Sequence, residues 1–292
     1  MRVVSLLPGA TEIILGLGAG DTLVGVSHSC DALAVAHLPR LTRTRVPTNA
    51  SSGEIDAVVR ECLSRGESLY TIDVEALGAL EPDLVVTQGL CEVCAVTERE
   101  VDGALSSVQV TPRVVSADPH TLTEVLGSIT EIGSALGRDD RAAELVAELR
   151  RRIDAVQART VSLSRRPRVA FLEWLDPPMC GGHWNPELVD LAGGVDGIGR
   201  VGQASRTIRW EDVIAWQPEV LCVACCGYPA DRTRVELDGV LRRPELRALP
   251  FARNGCVHVF DGVGLFARPG PRIVESLEVL YLALRYTSSS SS

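Results

Sequence analysis

The sequence predicts an α/β fold of two lobes, each built on a parallel sheet, joined by a single long helix. Three observations carry this expectation. Short β-branched apolar runs alternate with helix-like stretches in both halves of the 292 residues, the pattern of strands covered on both faces by crossover helices. One helical stretch, Asp139 to about Thr160, is longer than the others and separates the two series. A phrase that opens a strand recurs in each half, as Glu81-Pro82-Asp83-Leu84-Val85 and Gln217-Pro218-Glu219-Val220-Leu221.

Val3 to Leu7 reads as a first strand ending at Pro8-Gly9, and Thr11 is expected to cap a helix through about Leu17, stopped by the glycines that follow. Leu23 to Ser27, Leu84 to Thr87 and Val114 to Ser116 read as the next strands. In the long helix Leu145, Leu149, Ile153 and Val156 recur at helical spacing, and Glu148 stands four residues before Arg152. Its length, about 20 residues, gives a rod of ~30 Å. Strands then resume at Arg168 to Leu172, Val220 to Val223 and Val257 to Phe260, with a short helix at Glu187 to Leu191 and a closing one from Ile273 to Leu284. The expected organisation is a first lobe over residues 1–137, a connecting helix over 138–164, a second lobe over 165–287 and a disordered serine tail over 288–292.

Hydrophobic residues make up 46% and charged residues 23%, enough to bury a substantial core. No apolar run approaches the ~20 residues of a membrane span, so no membrane insertion is expected. The net charge of −9 disfavours nucleic acid as a partner. Every basic residue is arginine, which excludes a Schiff-base lysine, a Walker A lysine and a kinase lysine together. The first twenty residues contain Pro8 and Glu12 within their apolar runs and no cleavage-site pattern, so a cytoplasmic chain with reduced thiols is expected; removal of a leader would make it periplasmic or extracellular.

Ligands of open parallel sheets sit beyond the carboxyl ends of the strands. The loops that should line a cleft are Pro8–Thr11, Ser27–Asp31, Gln88–Cys94, Glu173–Trp184, Ala224–Tyr228 and Asp261–Pro271. Pro8-Gly9-Ala10-Thr11 opens a helix whose free N–H groups could hold an anion, or could simply be capped. His28, Cys30, Cys91, Cys94, Cys180, His183, Cys225 and Cys226 fall in or beside these loops. Cys30, Cys91, Cys94 and Cys226 are four candidate thiolates for zinc or an iron–sulfur cluster; as neutral thiols they would be small apolar pocket lining. Trp174, Trp184 and Phe266 offer flat rings to a large planar or apolar ligand, and Glu173 is expected to bond the ligand or to pair with Arg268. No nucleophile elbow or dinucleotide fingerprint is complete.

Arg2-Val3-Val4-Ser5-Leu6-Leu7-Pro8-Gly9-Ala10-Thr11-Glu12, followed by Leu23-Val24-Gly25-Val26-Ser27, resembles the opening of the vitamin B12-binding solute receptors of ABC importers. The resemblance continues through Glu81 to Val86, Gly181 to Gly194, Trp210-Glu211-Asp212-Val213 and Phe266 to Arg272. It implies two Rossmann-like lobes on a single backbone helix, the class III solute-binding fold, clasping a corrinoid, an iron chelate, haem or a metal. It also implies a permease partner where the chain is exported. The segment from Leu41 to Leu69, with Arg40, Arg43 and Arg45 at its start, is longer than in those receptors, and the thiols at Cys30, Cys91 and Cys94 depart from their pattern.

Two functions are therefore expected. The first is non-catalytic binding of cobalamin, another corrinoid or a similar metal chelate between the lobes, with Pro8, Thr11, His28, Glu173, Trp174, His183, Trp184, Phe266 and Arg268 as ligand-binding residues. The second is a cytosolic metalloprotein or redox enzyme on the same fold, with zinc or an iron–sulfur cluster on Cys30, Cys91, Cys94 and Cys226.

Overall fold

The computed structural model describes residues 1–89, 96–108 and 110–289. The chain enters through β1 (Val3–Ser5), α1 (Pro8–Gly16) and β2 (Leu23–Val26), then makes an excursion through β3 (Thr42–Thr44), α2 (Ser52–Ser64) and β4 (Tyr70–Ile72). It returns by α3 (Val74–Ala79), β5 (Leu84–Thr87), α4 (Glu98–Val108), β6 (Arg113–Ser116) and α5 (Leu122–Ala135). The long α6 (Asp139–Thr160) leads to β7 (Arg168–Leu175), β8 (Pro178–Cys180), α7 (Asn185–Leu191), β9 (Val195–Asp196) and α8 (Trp210–Trp216). The last part holds β10 (Val220–Val223), α9 (Ala230–Val240), α10 (Pro244–Arg247), α11 (Pro250–Arg253), β11 (Val257–Val259) and α12 (Ile273–Ser289).

The first sheet has the order β2-β1-β5-β6 and is parallel throughout. The second runs β11-β10-β7-β8, with β9 beside β7. The two α/β lobes and their linking helix are as expected, with two differences. The stretch after Leu172 is not a loop: β7 continues through Glu173 and Trp174 to Leu175 and folds back as β8, an antiparallel hairpin on a parallel sheet. The excursion adds a separate antiparallel pair, with Thr42 opposite Ile72 and Thr44 opposite Tyr70.

Helix α6 buries Ala142, Val146, Leu149, Ile153 and Val156, a single stripe at three- and four-residue spacing. The stripe joins an apolar cluster that runs from Ile13, Val125 and Ile129 in the first lobe to Val189, Leu277 and Leu280 in the second. Leu145 lies at the margin of that cluster. Arg152 does not pair with Glu148; its guanidinium makes a bidentate bond to Glu278 of α12 at 2.7 and 2.9 Å. The linking helix is thus buttressed along its length. Among the described residues no helix is long and apolar enough to cross a membrane.

Candidate ligand-binding site

Loops leaving the carboxyl ends of both sheets meet between the lobes. Helix α1 starts at Pro8, because proline suits the first helical position, so Thr11 lies inside the helix and not at its cap. Thr11 is 1% exposed; its hydroxyl donates to Ser5 Oγ at 2.8 Å and lies 3.1 Å from Cys30 Sγ. A Cβ on Gly9 would stand 2.6 Å from the carbonyl oxygen of Pro269. The loop after β11 therefore closes against the start of α1, where the sequence allowed either an anion or a plain cap, and only glycine allows so close an approach.

That loop also carries Arg268, which is buried. Its guanidinium makes a bidentate bond to Asp31 at 2.8 and 2.8 Å and reaches Glu12 at 2.9 Å. Arg268 is thereby committed to the first lobe and not to Glu173. Burial raises the Glu12 pKa above the usual carboxylate range against the opposing effect of Arg268; the hydrogen bond from Arg268 lowers that of the more open Asp31.

Glu173 is held within its own lobe. One carboxylate oxygen accepts the N–H of Gly182 at 2.8 Å and the Asn185 amide at 2.6 Å, and the other accepts the Ser205 hydroxyl. Burial without a cation raises its pKa, and Asp196 adds to the effect. The folded state therefore binds the proton more tightly than the unfolded chain does. Its contribution is full below the unfolded value and is lost as pH rises through the folded one. The Glu173→Gln protein keeps the acceptor and a donor toward Ser205. It is expected to exceed the parent in stability at pH 8, by a margin that shrinks toward pH 4; urea midpoints at both pH values measure this.

Trp184 and Phe266, expected to offer their rings to a ligand, are buried in the core. They are 3% and 2% exposed, and Trp184 Nε1 donates to the Phe266 carbonyl at 2.7 Å. Phe266 packs between Phe171 and Phe260, with ring centroids 5.1 and 5.0 Å away. Trp174, half-buried, turns its Nε1 to the carbonyls of Ser52 and Asp176, both at 3.2 Å, with its ring 5.0 Å from that of Tyr228. His28 is exposed; its Nδ1 lies 2.7 Å from Thr42 Oγ1, and desolvation and then the Arg40 charge lower its pKa.

His183 stands apart by its backbone and by its ring. It adopts the left-handed conformation at φ 51°, which costs a non-glycine residue energy and gathers at functional sites. Its N–H donates to Gln203 O at 2.6 Å and its carbonyl accepts from Gly202, so the strained turn is pinned on both sides. Among the described residues the buried Nε2 has no hydrogen-bond partner, and such a group calls for one. The ring lies 5.5 Å from that of His120, on the loop between β6 and α5 of the first lobe, and burial followed by the His120 charge lowers its pKa.

The thiolate reading finds no support. Cys30 is buried among the hydroxyls of Thr11 and Ser27, Cys226 is exposed on the second lobe, and Cys91 and Cys94 lie outside the described residues. Among the described residues no three His, Cys, Asp or Glu side chains are grouped to hold a metal. Burial raises the Cys225 pKa to about 12, the state of a small apolar residue and not of a ligand thiolate. Sequence reasoning missed Arg232 and Glu236, whose importance comes only from what the excursion places against them.

Comparison with known proteins agrees with the fold. The vitamin B12-binding protein of Vibrio cholerae is 25% identical over 277 residues, covering 88% of each chain. Among solved structures, the periplasmic heme-binding protein RhuT from Roseiflexus sp. RS-1 superposes with a TM-score of 0.71 at 24% identity, covering 99% of both chains. The periplasmic vitamin B12-binding protein BtuF of Vibrio cholerae superposes with a TM-score of 0.71 at 22% identity, covering 98% of this chain and 97% of that one. These two structural likenesses establish the fold. Residues 3–262 match the family described as periplasmic binding protein, and the chain, with its two α/β lobes on one backbone helix, belongs to that family.

Proposed function

We propose that this chain is a non-catalytic solute-binding protein that holds a metal tetrapyrrole, a corrinoid or haem, between its lobes. His183 carries the reading: a strained, pinned residue at the lobe junction whose buried Nε2 lacks a partner among the described residues, with burial lowering the pKa of its imidazole. A neutral imidazole nitrogen can ligate a metal or bond a ligand's edge. The vitamin B12-binding relative and the heme-binding structural neighbour support a ligand of this class. The partners proposed with it are the chelate itself and, at a membrane, the permease of an ABC importer.

Titration with cyanocobalamin and with haemin, followed by visible absorption, tests this. One of the two is expected to bind stoichiometrically, and His183→Ala to weaken it at least tenfold, the cost of about one good polar contact. Spectra unmoved by either compound would overturn the assignment.

A further inference from the structure

The tip of the β3–β4 excursion leaves its own lobe and lies against the second one. Arg232 donates to the carbonyls of Thr48 and Ala50 at 2.6 and 2.5 Å, and Tyr228 donates to Ala50 at 3.4 Å. Trp174 donates to the carbonyl of Ser52, whose N–H donates in turn to Glu236 at 3.1 and 3.2 Å. Ile55, with Val46, Ala50 and Val59 around it, completes the contact against the second lobe's apolar cluster. Residues 46–55 thus form a strap from lobe to lobe.

We propose that Trp174, Tyr228 and Arg232 form a carbonyl-reading subsite of the cleft, and that the strap is a gate competing with ligand for it. The proposal rests on the cleft being the binding site. Trp174 is near the end of β7 and Tyr228 follows β10, where ligands of such sheets lie. Every donor of the three side chains aimed at the strap meets a main-chain oxygen, at residues 48, 50 and 52. Nothing in that recognition depends on the strap's side chains. A ligand rimmed by carboxamides or carboxylates, as a corrinoid or a haem is, presents the same acceptors. The platform also has a flat face for a planar rim, since the Arg232 guanidinium stacks 3.5 Å from the Tyr228 ring centre. What holds the strap is a handful of hydrogen bonds, several to the charged Arg232 and Glu236, and the contact of Ile55 with the partly buried Val46, Ala50 and Val59 around it; none of these belongs to either large sheet. Such an element opens locally without unfolding the lobes.

The geometry supplies a lock. A Cβ on Gly53 would stand 3.8 Å from Asp176 Cβ, about the 3.8 Å separation across a disulfide. In the Gly53→Cys/Asp176→Cys protein, with each single variant as control for the native thiols, hydrogen exchange over residues 46–59 is compared oxidised and reduced. The reduced strap is expected to exchange ~100-fold or more faster than α6, as a local opening does, and the disulfide to suppress this. Exchange as slow as α6 and unaffected by the disulfide would overturn the gate.

Binding of cyanocobalamin and haemin is then measured in both redox states. The closed strap scales apparent affinity by its open fraction. Oxidation is therefore expected to weaken binding about tenfold or more, dithiothreitol to restore it, and Ile55→Ala, which frees the strap, to strengthen it. Trp174→Phe, which keeps a ring but loses the N–H, is expected to release the strap and still bind chelate less tightly. Equal binding in the oxidised and reduced states would overturn the gate. If neither compound binds the reduced protein while its strap exchanges fast and the disulfide stops it, the tetrapyrrole reading falls and the strap stands as a locally opening element, its competition with these two ligands overturned.

Discussion

Replacing Phe266 by alanine is expected to lower the free energy of unfolding by about 3–5 kcal/mol, the range for a large aromatic cut from a core. The ring is 2% exposed and touches Phe171 and Phe260. The backbone around it is tied as tightly: its N–H donates to Ser276 Oγ at 3.0 Å, its carbonyl accepts from Trp184, and its φ is 63°. Loss of the ring leaves a cavity at the junction of strand, loop and α12, where the surroundings relax only partly. Phe266→Leu is expected to recover most of the loss. A ligand-contacting phenylalanine would behave oppositely, with affinity falling and stability unchanged. Urea denaturation separates the two, and an unmoved midpoint in Phe266→Ala would sink the core placement.

The Arg268→Met protein is expected to lose about 3 kcal/mol at pH 7, the lower end of the cost of removing one partner from a buried ion pair. The cost falls unevenly on the two carboxylates it leaves. Glu12, its side chain 14% exposed, is stranded, whereas Asp31, 56% exposed, returns to water. Asp31 has a lowered folded pKa, so its contribution is present above the unfolded value and vanishes as pH falls through the folded one. Glu12, its pKa already raised by burial, takes up a proton readily in acid and ceases to be a buried charge. Both effects act in one direction, that of Glu12 between neutral pH and pH 4 and that of Asp31 only below its unfolded value. The gap between parent and variant should narrow from pH 7 to pH 4, and a constant gap would show that packing, not the ion pairs, sets the loss.

Where chain-local chemistry decides structure, the sequence was enough. Leu84–Thr87, Val220–Val223 and Asp139–Thr160 form as their periodicity predicts. It was insufficient where a local signal pointed the wrong way. Thr11 reads as a cap, but Pro8 at the first helical position moves the start four residues earlier, with Leu7 as the cap. Asp176-Pro177-Pro178 reads as the middle of a loop, although it turns a hairpin whose second strand pairs Cys180 with Leu172. Side-chain direction was the larger loss. Trp184 and Phe266 are aromatic and lie beside a cleft, and nothing in their neighbours says that both turn inward. Arg268 finds its partners 237 and 256 positions away, and the strap meets residues more than 120 positions distant. Contacts of that separation leave no trace in periodicity or spacing.

The pairing of β3 with β4 has a consequence for how the chain can be altered. Thr44 and Tyr70 stand opposite each other at the head of an antiparallel stem, so everything between them is a cassette whose ends already meet. A tight turn could replace residues 45–69 without breaking a strand of either large sheet, since a short closure costs little entropy once the stem is made. The same cassette could be exchanged for one of another length or charge, so that what guards the cleft becomes a part to be swapped, separable from the framework that makes it.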